Sequence, residues 1–145
     1  MNTQETNAEE ISPIWNPDIA TILSLPLTPI FGAYLHMLNW RALGEPQRAA
    51  TSKKWLNASI AMVVLYTILP FALPDLKDVE EKMGLVAWVF LISWYFASAR
   101  SQGKFVKERY GTNYTEKPWG KALGIALLCY LVIMVLIAVF VVIKA

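Results

Sequence analysis

The stretch LPLTPIFGAYLHMLNWR, residues 25–41, carries no formal charge before its last residue, yet it contains two prolines, one glycine and the only histidine of the chain. It belongs to a charge-free run from Ile19 to Trp40, which is long enough for a membrane helix of about 17–25 residues. Pro26 and Pro29 each remove a backbone donor and favour a kink. The fold therefore depends on whether this run crosses a membrane or turns back within it.

Three further runs have the same character. Hydrophobic residues make up 56% of the chain and the mean hydropathy is +0.41, both more than a soluble domain needs to fill its core. We therefore predict an all-α fold, a polytopic membrane helix bundle that follows a flexible acidic N-terminal tail at residues 1–15. The helical domain covers residues 16–145, with four transmembrane helices over about 17–40, 55–74, 83–100 and 119–143.

The first of these four segments has an alternative. Asn16, Pro17 and Asp18 are typical of a helix cap, a first-turn proline and a first-turn acid, and Trp40 marks the other end. These signals at opposite ends favour a bent helix that spans the membrane. If residues 19–40 re-enter instead, three helices cross the membrane and the N-terminal tail is cytoplasmic.

The distribution of Lys and Arg predicts the orientation. Ten of the thirteen basic residues fall in two connectors, residues 41–54 and 100–121. Cytoplasmic loops of membrane proteins carry such an excess, so we assign both connectors to the cytoplasm. In the four-span arrangement both termini then lie outside. The residues that we expect to act as interfacial anchors are Trp15, Trp40, Arg41, Trp55 and Trp119.

Residues that carry chemistry are scarce. The chain has one cysteine and one histidine, and none of the four apolar runs contains a carboxylate. Metal centres need several ligands and coupled carriers usually keep an acid within the membrane, so we predict no enzyme activity, no metal and no cofactor. His36 lies near the inner end of the first run, and we interpret it as an interhelical or interfacial anchor in preference to a proton relay.

Small residues at helical spacing predict packing faces. In membranes, helices associate through small residues and through polar side chains that bond between helices. Thr28, Gly32 and His36 follow one another at every fourth position and form the most coherent patch, with Asn39 at its end. Two similar rows occur in the later segments. The whole set of candidate packing or partner residues is Thr28, Gly32, His36, Asn39, Ser93, Ala97, Gly120 and Gly124.

A recurring motif pattern adds a family resemblance. The segments NPDIATILSLPLTPIFGAYLHMLNWRALGEPQRAATSKKW and KFVKERYGTNYTEKPWGKALG contain Asn-Pro, Pro-x-Phe-Gly, Asn-Trp-Arg, Leu-Gly and Lys-x-Trp elements. With these elements the chain resembles an uncharacterised family of small bacterial inner-membrane proteins. The resemblance implies a location in the bacterial inner membrane and brings no activity. The matching positions are Asn16, Pro17, Pro29, Phe31, Gly32, Asn39, Trp40, Arg41, Leu43, Gly44, Tyr114, Lys117 and Trp119.

Two functions from different classes remain. The first is a non-catalytic membrane protein that binds a partner through its helices, most concretely an immunity protein that protects against a membrane-inserting, pore-forming toxin. The second is a transport or channel component that works as an oligomer, with a path gated near His36 and Asn39. We expect contacts with membrane lipid and with a toxin or another membrane protein, leave a homo-oligomer open, and expect no nucleic acid, because basic aromatic connectors beside apolar runs favour lipid headgroups.

Overall fold

The computed structural model describes residues 11–72 and 79–144. Residues 1–10 of the predicted tail, the end of the predicted span 55–74 and the last residue lie outside the described residues. The described chain is helical apart from turns and one isolated backbone bridge, which confirms the all-α prediction. Its elements are α1 (Pro17–Ala42), α2 (Pro46–Ala72), α3 (Val79–Trp94), a π-helical turn (Tyr95–Ala99), α4 (Arg100–Arg109) and α5 (Trp119–Lys144).

The first helix begins where its sequence predicts. Asn16 precedes the helix, and its side-chain oxygen accepts hydrogen bonds from the backbone N–H groups of Asp18 and Ile19 at 3.1 and 3.3 Å. Pro17 is the first helical residue, where a missing N–H costs nothing, and the Asp18 carboxylate lies at the positive end of the helix dipole. The predicted helix start is therefore confirmed.

The backbone of α1 turns back at Thr28. This residue has φ 75° and ψ 152°, a conformation that residues with a Cβ atom rarely adopt. Pro29 disfavours helical geometry in the residue before it, and its own nitrogen has no hydrogen to continue the helix. The helix is thus divided into a first arm, residues 17–27, and a second arm, residues 29–42. We call the two arms together the α1 hairpin.

Contacts between the arms show that they run antiparallel. Thr21 Oγ1 lies 3.0 Å from His36 Nε2, although 15 residues of straight helix at about 1.5 Å per residue would separate them by about 22 Å. Trp15 pairs through its backbone with the Asn39 side chain. Residues 17–40 therefore form two helical arms and not the one continuous helix that we expected, and the chain turns back on itself as in the alternative. Pro26 and Pro29 lie on either side of the turn. We expected them to bend the helix, but the chain reverses its direction between them.

The α1 hairpin lies at the centre of the fold. Helix α2 packs along it, and the π turn and α4 pack on it as one continuous unit with α3. Since α1 is in contact with four other elements, α2, the π turn, α4 and α5, its second arm is the most enclosed part of the described chain. Its buried residues are Gly32, Ala33, Leu35, His36, Met37, Asn39 and Trp40.

At one end of the molecule the N-terminal segment joins both basic connectors. Ile14 is fully buried and bonds through its backbone to Thr115 and Lys117, at 3.1 and 2.8 Å. It packs in a hydrophobic cluster with Trp40 and Val106, so it links the ends of α1 and α4. Residues 11–15, which we assigned to the flexible tail, are thus part of the packed structure.

Large apolar side chains remain exposed on the outer helices. Two described stretches, Pro17–Ala42 and Lys82–Arg109, are long and apolar enough to cross a membrane, and Trp119–Val135 is a shorter apolar helix. The first of these is the α1 hairpin, so its length is shared between two arms. The predicted four-span bundle is therefore not confirmed: the fold is helical, with two stretches that qualify as membrane spans by length and composition.

Candidate functional site

Four polar side chains meet where the α1 hairpin contacts α4. Thr21 comes from the first arm, His36 and Asn39 from the second, and Gln102 from α4; we call them the polar cluster. His36, Asn39 and Gln102 have no exposed surface. A buried polar group destabilises a fold unless it is hydrogen-bonded, so each donor and acceptor of the cluster needs a partner.

Hydrogen bonds to the backbone of Trp15 orient the amide of Asn39. The Trp15 N–H donates to Asn39 Oδ1 at 3.0 Å, and Asn39 Nδ2 donates to the Trp15 carbonyl at 2.7 Å. Asn39 Nδ2 also donates to Gln102 Oε1 at 3.1 Å, and Gln102 Nε2 donates to the His36 carbonyl at 2.9 Å. A rotated Gln102 amide would place donor against donor and acceptor against acceptor, so its orientation is determined as well.

The orientation of Gln102 determines which nitrogen of His36 carries a proton. Gln102 Oε1 lies 2.6 Å from His36 Nδ1 and can only accept, so Nδ1 donates. In the neutral ring Nε2 is then an acceptor, and the Thr21 hydroxyl at 3.0 Å is its donor. The same hydroxyl lies 2.8 Å from the Pro17 carbonyl, so its single hydrogen is shared between these two acceptors. One imidazole therefore joins both arms of the hairpin to α4.

The geometry of the polar cluster is that of a structural contact, which holds the α1 hairpin against α4 by hydrogen bonds. Its three buried members bond to one another and to backbone groups, and their side chains have no contact with solvent. A path gated near His36 and Asn39 would need side chains that face an opening. In the described structure these two face the protein interior, so the geometry gives the transport hypothesis no support at this place.

Gly32 lies where the two arms touch. A Cβ atom on Gly32 would overlap the Ser24 hydroxyl and would lie 2.8 Å from the ring of Trp94. Trp94 is itself buried and stands edge-to-face with His36, with ring centroids 5.8 Å apart. Gly32 and His36 thus share the packed face that the sequence predicts, while Thr28 forms the turn instead.

The π turn shapes the α4 side of this contact. A π-helical turn adds one residue to a helix and so changes which residues face a neighbour. After the turn, Ser98, Ala99 and Gln102 face the protein interior, whereas Ser93 and Ala97 are exposed. The Ser93 hydroxyl donates to the Val89 carbonyl of its own helix at 2.7 Å. The predicted row on this segment is therefore not part of the internal packing.

The row on α5 is exposed in the same way. A Cβ atom on Gly120 or on Gly124 would meet no described atom within 4 Å. Helix α5 contacts the hairpin through Ala122, which packs with Ala20 and Leu35. The structure thus brings Gly32, His36 and Asn39 together and leaves the rows on α3 and α5 outside that contact.

The predicted anchors have different surroundings. Trp40 is 1% exposed, with its ring 5.1 Å from that of Phe105 and the Arg48 guanidinium 4.9 Å from its centroid. Because protein covers this ring, Trp40 is a core residue at the end of the hairpin and not a side chain that reaches lipid. Arg41 is exposed, and the partly exposed anchors are Trp15, Trp55 and Trp119.

A polar cleft of about 690 Å³ opens beside the start of α1. Three segments line it: the beginning of α1, one face of α4 and the turn that follows α4. Its lining includes two acidic residues and one lysine, together with glycine, proline and valine. Its lining residues are Asn16, Pro17, Asp18, Gly103, Val106, Lys107, Gly111, Thr112, Tyr114 and Glu116.

Neutral donors hold one carboxylate of the cleft. Glu116 Oε1 accepts from Asn16 Nδ2 at 3.0 Å and from the Tyr114 hydroxyl at 3.3 Å. Burial raises the pKa of Tyr114 to about 12, and the negative charges of Glu116 and Asp18 act in the same direction. Asp18 Oδ1 lies 2.5 Å from the position of a Cβ on Gly103, so this carboxylate packs directly against α4 and would have to move if residue 103 had a side chain.

Sequence reasoning did not predict Gln102, Trp94 or the cleft. Gln102 follows Arg100 in a basic connector, where an amide side chain is typical of a solvated helix face. Asp18 carried only a helix-start signal, and Glu116 carried none. Their association depends on the turn at Thr28, which brings the start of α1 back to the connector after α4.

The described residues contain no group of three or more His, Cys, Asp or Glu side chains that could hold a metal ion. The resemblance to a family of small inner-membrane proteins remains a prediction. The chain matches no protein-family model, no curated protein and no solved structure.

Proposed function

We propose that the chain is a bacterial inner-membrane protein in which the α1 hairpin enters the membrane and returns, while α2, the α3–α4 unit and α5 cross it. Exposed apolar surface supports this arrangement, because in water such surface marks an interaction site or an aggregation hazard. An arm of 11–14 residues, at about 1.5 Å per residue, covers only about half to two-thirds of a hydrocarbon layer of about 30 Å. Apolar side chains that remain largely exposed include Ile60, Val64, Leu65, Leu85, Val86, Val89, Ile125, Leu128 and Val135.

The same arrangement places residues 11–16 in the cytoplasm. They bond to residues 115–117 at the end of the molecule where both basic connectors lie, and basic connectors are cytoplasmic as a rule. To test this, Cys129, which is exposed, is replaced by serine, and a single cysteine is placed at Ser12, Thr112 or Lys144. An impermeant maleimide should label only the Lys144→Cys chain in intact spheroplasts. Labelling of Ser12→Cys without labelling of Thr112→Cys would contradict the arrangement.

The protein's function, on this proposal, is to bind a membrane helix of another protein without catalysis. The single observation that carries it is the open space at Gly120 and Gly124, which form a GxxxG pair that no described residue covers. Small residues let two helix backbones approach closely, and this packing is a main source of helix association in lipid. The hairpin uses its own small residue, Gly32, internally, and of the two rows that lie outside this contact only the one on α5 consists of glycines.

The most concrete partner is the membrane-inserting domain of a toxin, which would make the chain an immunity protein. Deleting the gene should sensitise cells to a toxin encoded beside it, and the unmutated chain should restore protection. Gly124→Leu should abolish protection, because its side chain would fill the space that a partner helix needs. Gly84→Leu is the matched control, since this helix glycine is also uncovered but lies outside the rows.

Both variants should reach the membrane at the level of the unmutated chain, as measured by immunoblot of membrane fractions. Equal protection by Gly124→Leu and Gly84→Leu chains would exclude the α5 row as the binding face. Absence of sensitisation after deletion, with a neighbouring toxin present, would exclude the immunity role.

A further inference from the structure

The polar cleft differs in charge from its surroundings. Ten of the thirteen Lys and Arg residues lie in the two connectors at this end of the chain, yet two carboxylates and only one lysine line the cleft. Within the described residues, neither Asp18 nor Glu116 takes part in an ion pair. A ligand with a positive charge would therefore meet two carboxylates that form no ion pair with another described residue.

The carboxylate of Glu116 is already held in position. Asn16 and Tyr114 donate to Oε1, both are neutral, and so they orient the group without cancelling its charge. The residue enters from the segment that pairs with Ile14, which ties it to the start of α1. A preorganised acceptor loses little freedom when a ligand binds, which favours affinity.

The second carboxylate belongs to Asp18 and lies against Gly103 of α4. A carboxylate accepts hydrogen bonds only, so the complementary group must carry N–H donors as well as positive charge. A primary ammonium group has three such donors and can bond to two carboxylates. A quaternary ammonium group has the charge without the donors.

Lys107 adds the opposite charge to the same cleft. Lys107 lines the cleft from α4, one helical turn beyond Gly103. An anionic group of the ligand, such as a phosphate, would meet this cation. The volume of the cleft, about 690 Å³, falls within the range of about 300–1,000 Å³ that small-molecule sites occupy.

We propose that this cleft binds a phosphoethanolamine group, with its primary ammonium on the carboxylates of Asp18 and Glu116 and its phosphate on Lys107. The group occurs as the headgroup of a phospholipid and in soluble phosphodiesters. The cleft lies beside the start of α1 and the end of α4, where the proposed membrane segments reach the cytoplasmic surface, so the lipid is the source we expect. This inference does not depend on a partner at the α5 row.

The test uses the full chain purified in a neutral detergent and measures lipid binding by native mass spectrometry. We expect phosphatidylethanolamine to bind at least tenfold more tightly than phosphatidylcholine, which lacks N–H donors, or phosphatidylglycerol, which lacks the amine. Soluble glycerophosphoethanolamine should compete. If the soluble compound binds and the lipid does not, the group is recognised from solution. Equal binding of all three lipids, with no binding of the soluble compound, would overturn the proposal.

Two pairs of variants separate the cleft from general charge effects. Glu116→Gln and Lys107→Met should each weaken phosphatidylethanolamine binding at least tenfold. Glu108→Gln and Lys104→Met make the same charge changes on α4 but outside the cleft, where the two residues pair with each other at 3.7 Å, and they should leave binding unchanged. Lys107 is exposed, so its replacement should not disturb folding. If the control variants weakened phosphatidylethanolamine binding as much as the cleft variants, the result would contradict binding in the cleft.

Discussion

The α1 hairpin and α5 are each 26 residues long and each begins close to a tryptophan, but the two apolar segments fold differently. Helix α5 is unbroken, and most of its described side chains are exposed. The α1 segment carries two prolines and several polar side chains, turns back on itself and buries the polar groups against α4. The length of an apolar segment alone therefore does not determine how it folds. Its polar side chains need hydrogen-bond partners, and its prolines interrupt the helix.

Replacement of Gln102 by leucine should have the largest effect, because this residue holds the α1 hairpin against α4, a contact that the described residues of α5 do not have. It leaves His36 Nδ1–H and the His36 carbonyl without their partners and removes one acceptor from Asn39. Each buried group left unsatisfied costs about 1–3 kcal/mol, so we expect a loss of about 2–4 kcal/mol in the free energy of unfolding. The measurement is denaturant unfolding in detergent, followed by tryptophan fluorescence.

Gln47→Leu is the control for this replacement, since Gln47 is exposed near the start of α2. It should change the unfolding free energy by less than about 0.5 kcal/mol. If both leucine variants unfold alike, the polar cluster does not hold the hairpin to α4.

Gly32→Ala should cause the second-largest loss in the free energy of unfolding. Its Cβ would overlap the Ser24 hydroxyl and approach Trp94, so the arms must separate, and overpacking of this kind costs about 1–3 kcal/mol. Gly124→Ala places the same methyl group in open space on α5 and should leave the unfolding free energy within about 0.5 kcal/mol of the unmutated chain. The same denaturant assay compares the two. A larger loss of stability for Gly124→Ala than for Gly32→Ala would contradict the assignment of Gly32 to a packed contact and of Gly124 to an open surface.

These two predictions also show what sequence reasoning can supply. The helix start at Asn16, the charge-free segments and the packed role of Gly32 and His36 follow from local spacing and from the chemistry of small and polar side chains. The turn at Thr28 does not follow, because Pro-x-x-Pro in an apolar segment is compatible with a kink or with a reversal. The reversal is favoured by hydrogen bonds to Gln102 and to the Trp15 backbone, which are distant in sequence and have no local signal.

Glycine at position 28 should stabilise the hairpin. Thr28 has a positive φ, and strain of this kind costs about 1–3 kcal/mol, which glycine would relieve at an entropic cost of about 0.5–1 kcal/mol. The expected net gain is about 1 kcal/mol in the free energy of unfolding. Thr67→Gly, in the second half of α2, should lose stability instead. A loss at both positions would mean that residue 28 is helical and that the segment is a continuous span.

The smallest effect concerns the link between the hairpin and the connector after α4. The pKa of Tyr114 is raised to about 12, so the hydrogen bond from its hydroxyl contributes fully below pH 10 and is lost as the pH rises through about 12. Ultraviolet titration of the unmutated and Tyr114→Phe chains should differ by one phenol that ionises near pH 12. Glu116→Gln should lower that pKa by removing the nearby negative charge, and no change would place Glu116 away from Tyr114.

The partners of the polar cluster have a consequence for biosynthesis. Gln102 follows His36 by 66 residues and Asn39 by 63. At about 5–20 residues per second, the ribosome needs about 3–13 s after His36 before the matching amide is made. Until then, the imidazole of His36 and the amide of Asn39 lack their partner on α4. Closure of the hairpin onto α4 is thus a late event in synthesis, and this contact forms only after most of the chain has been made.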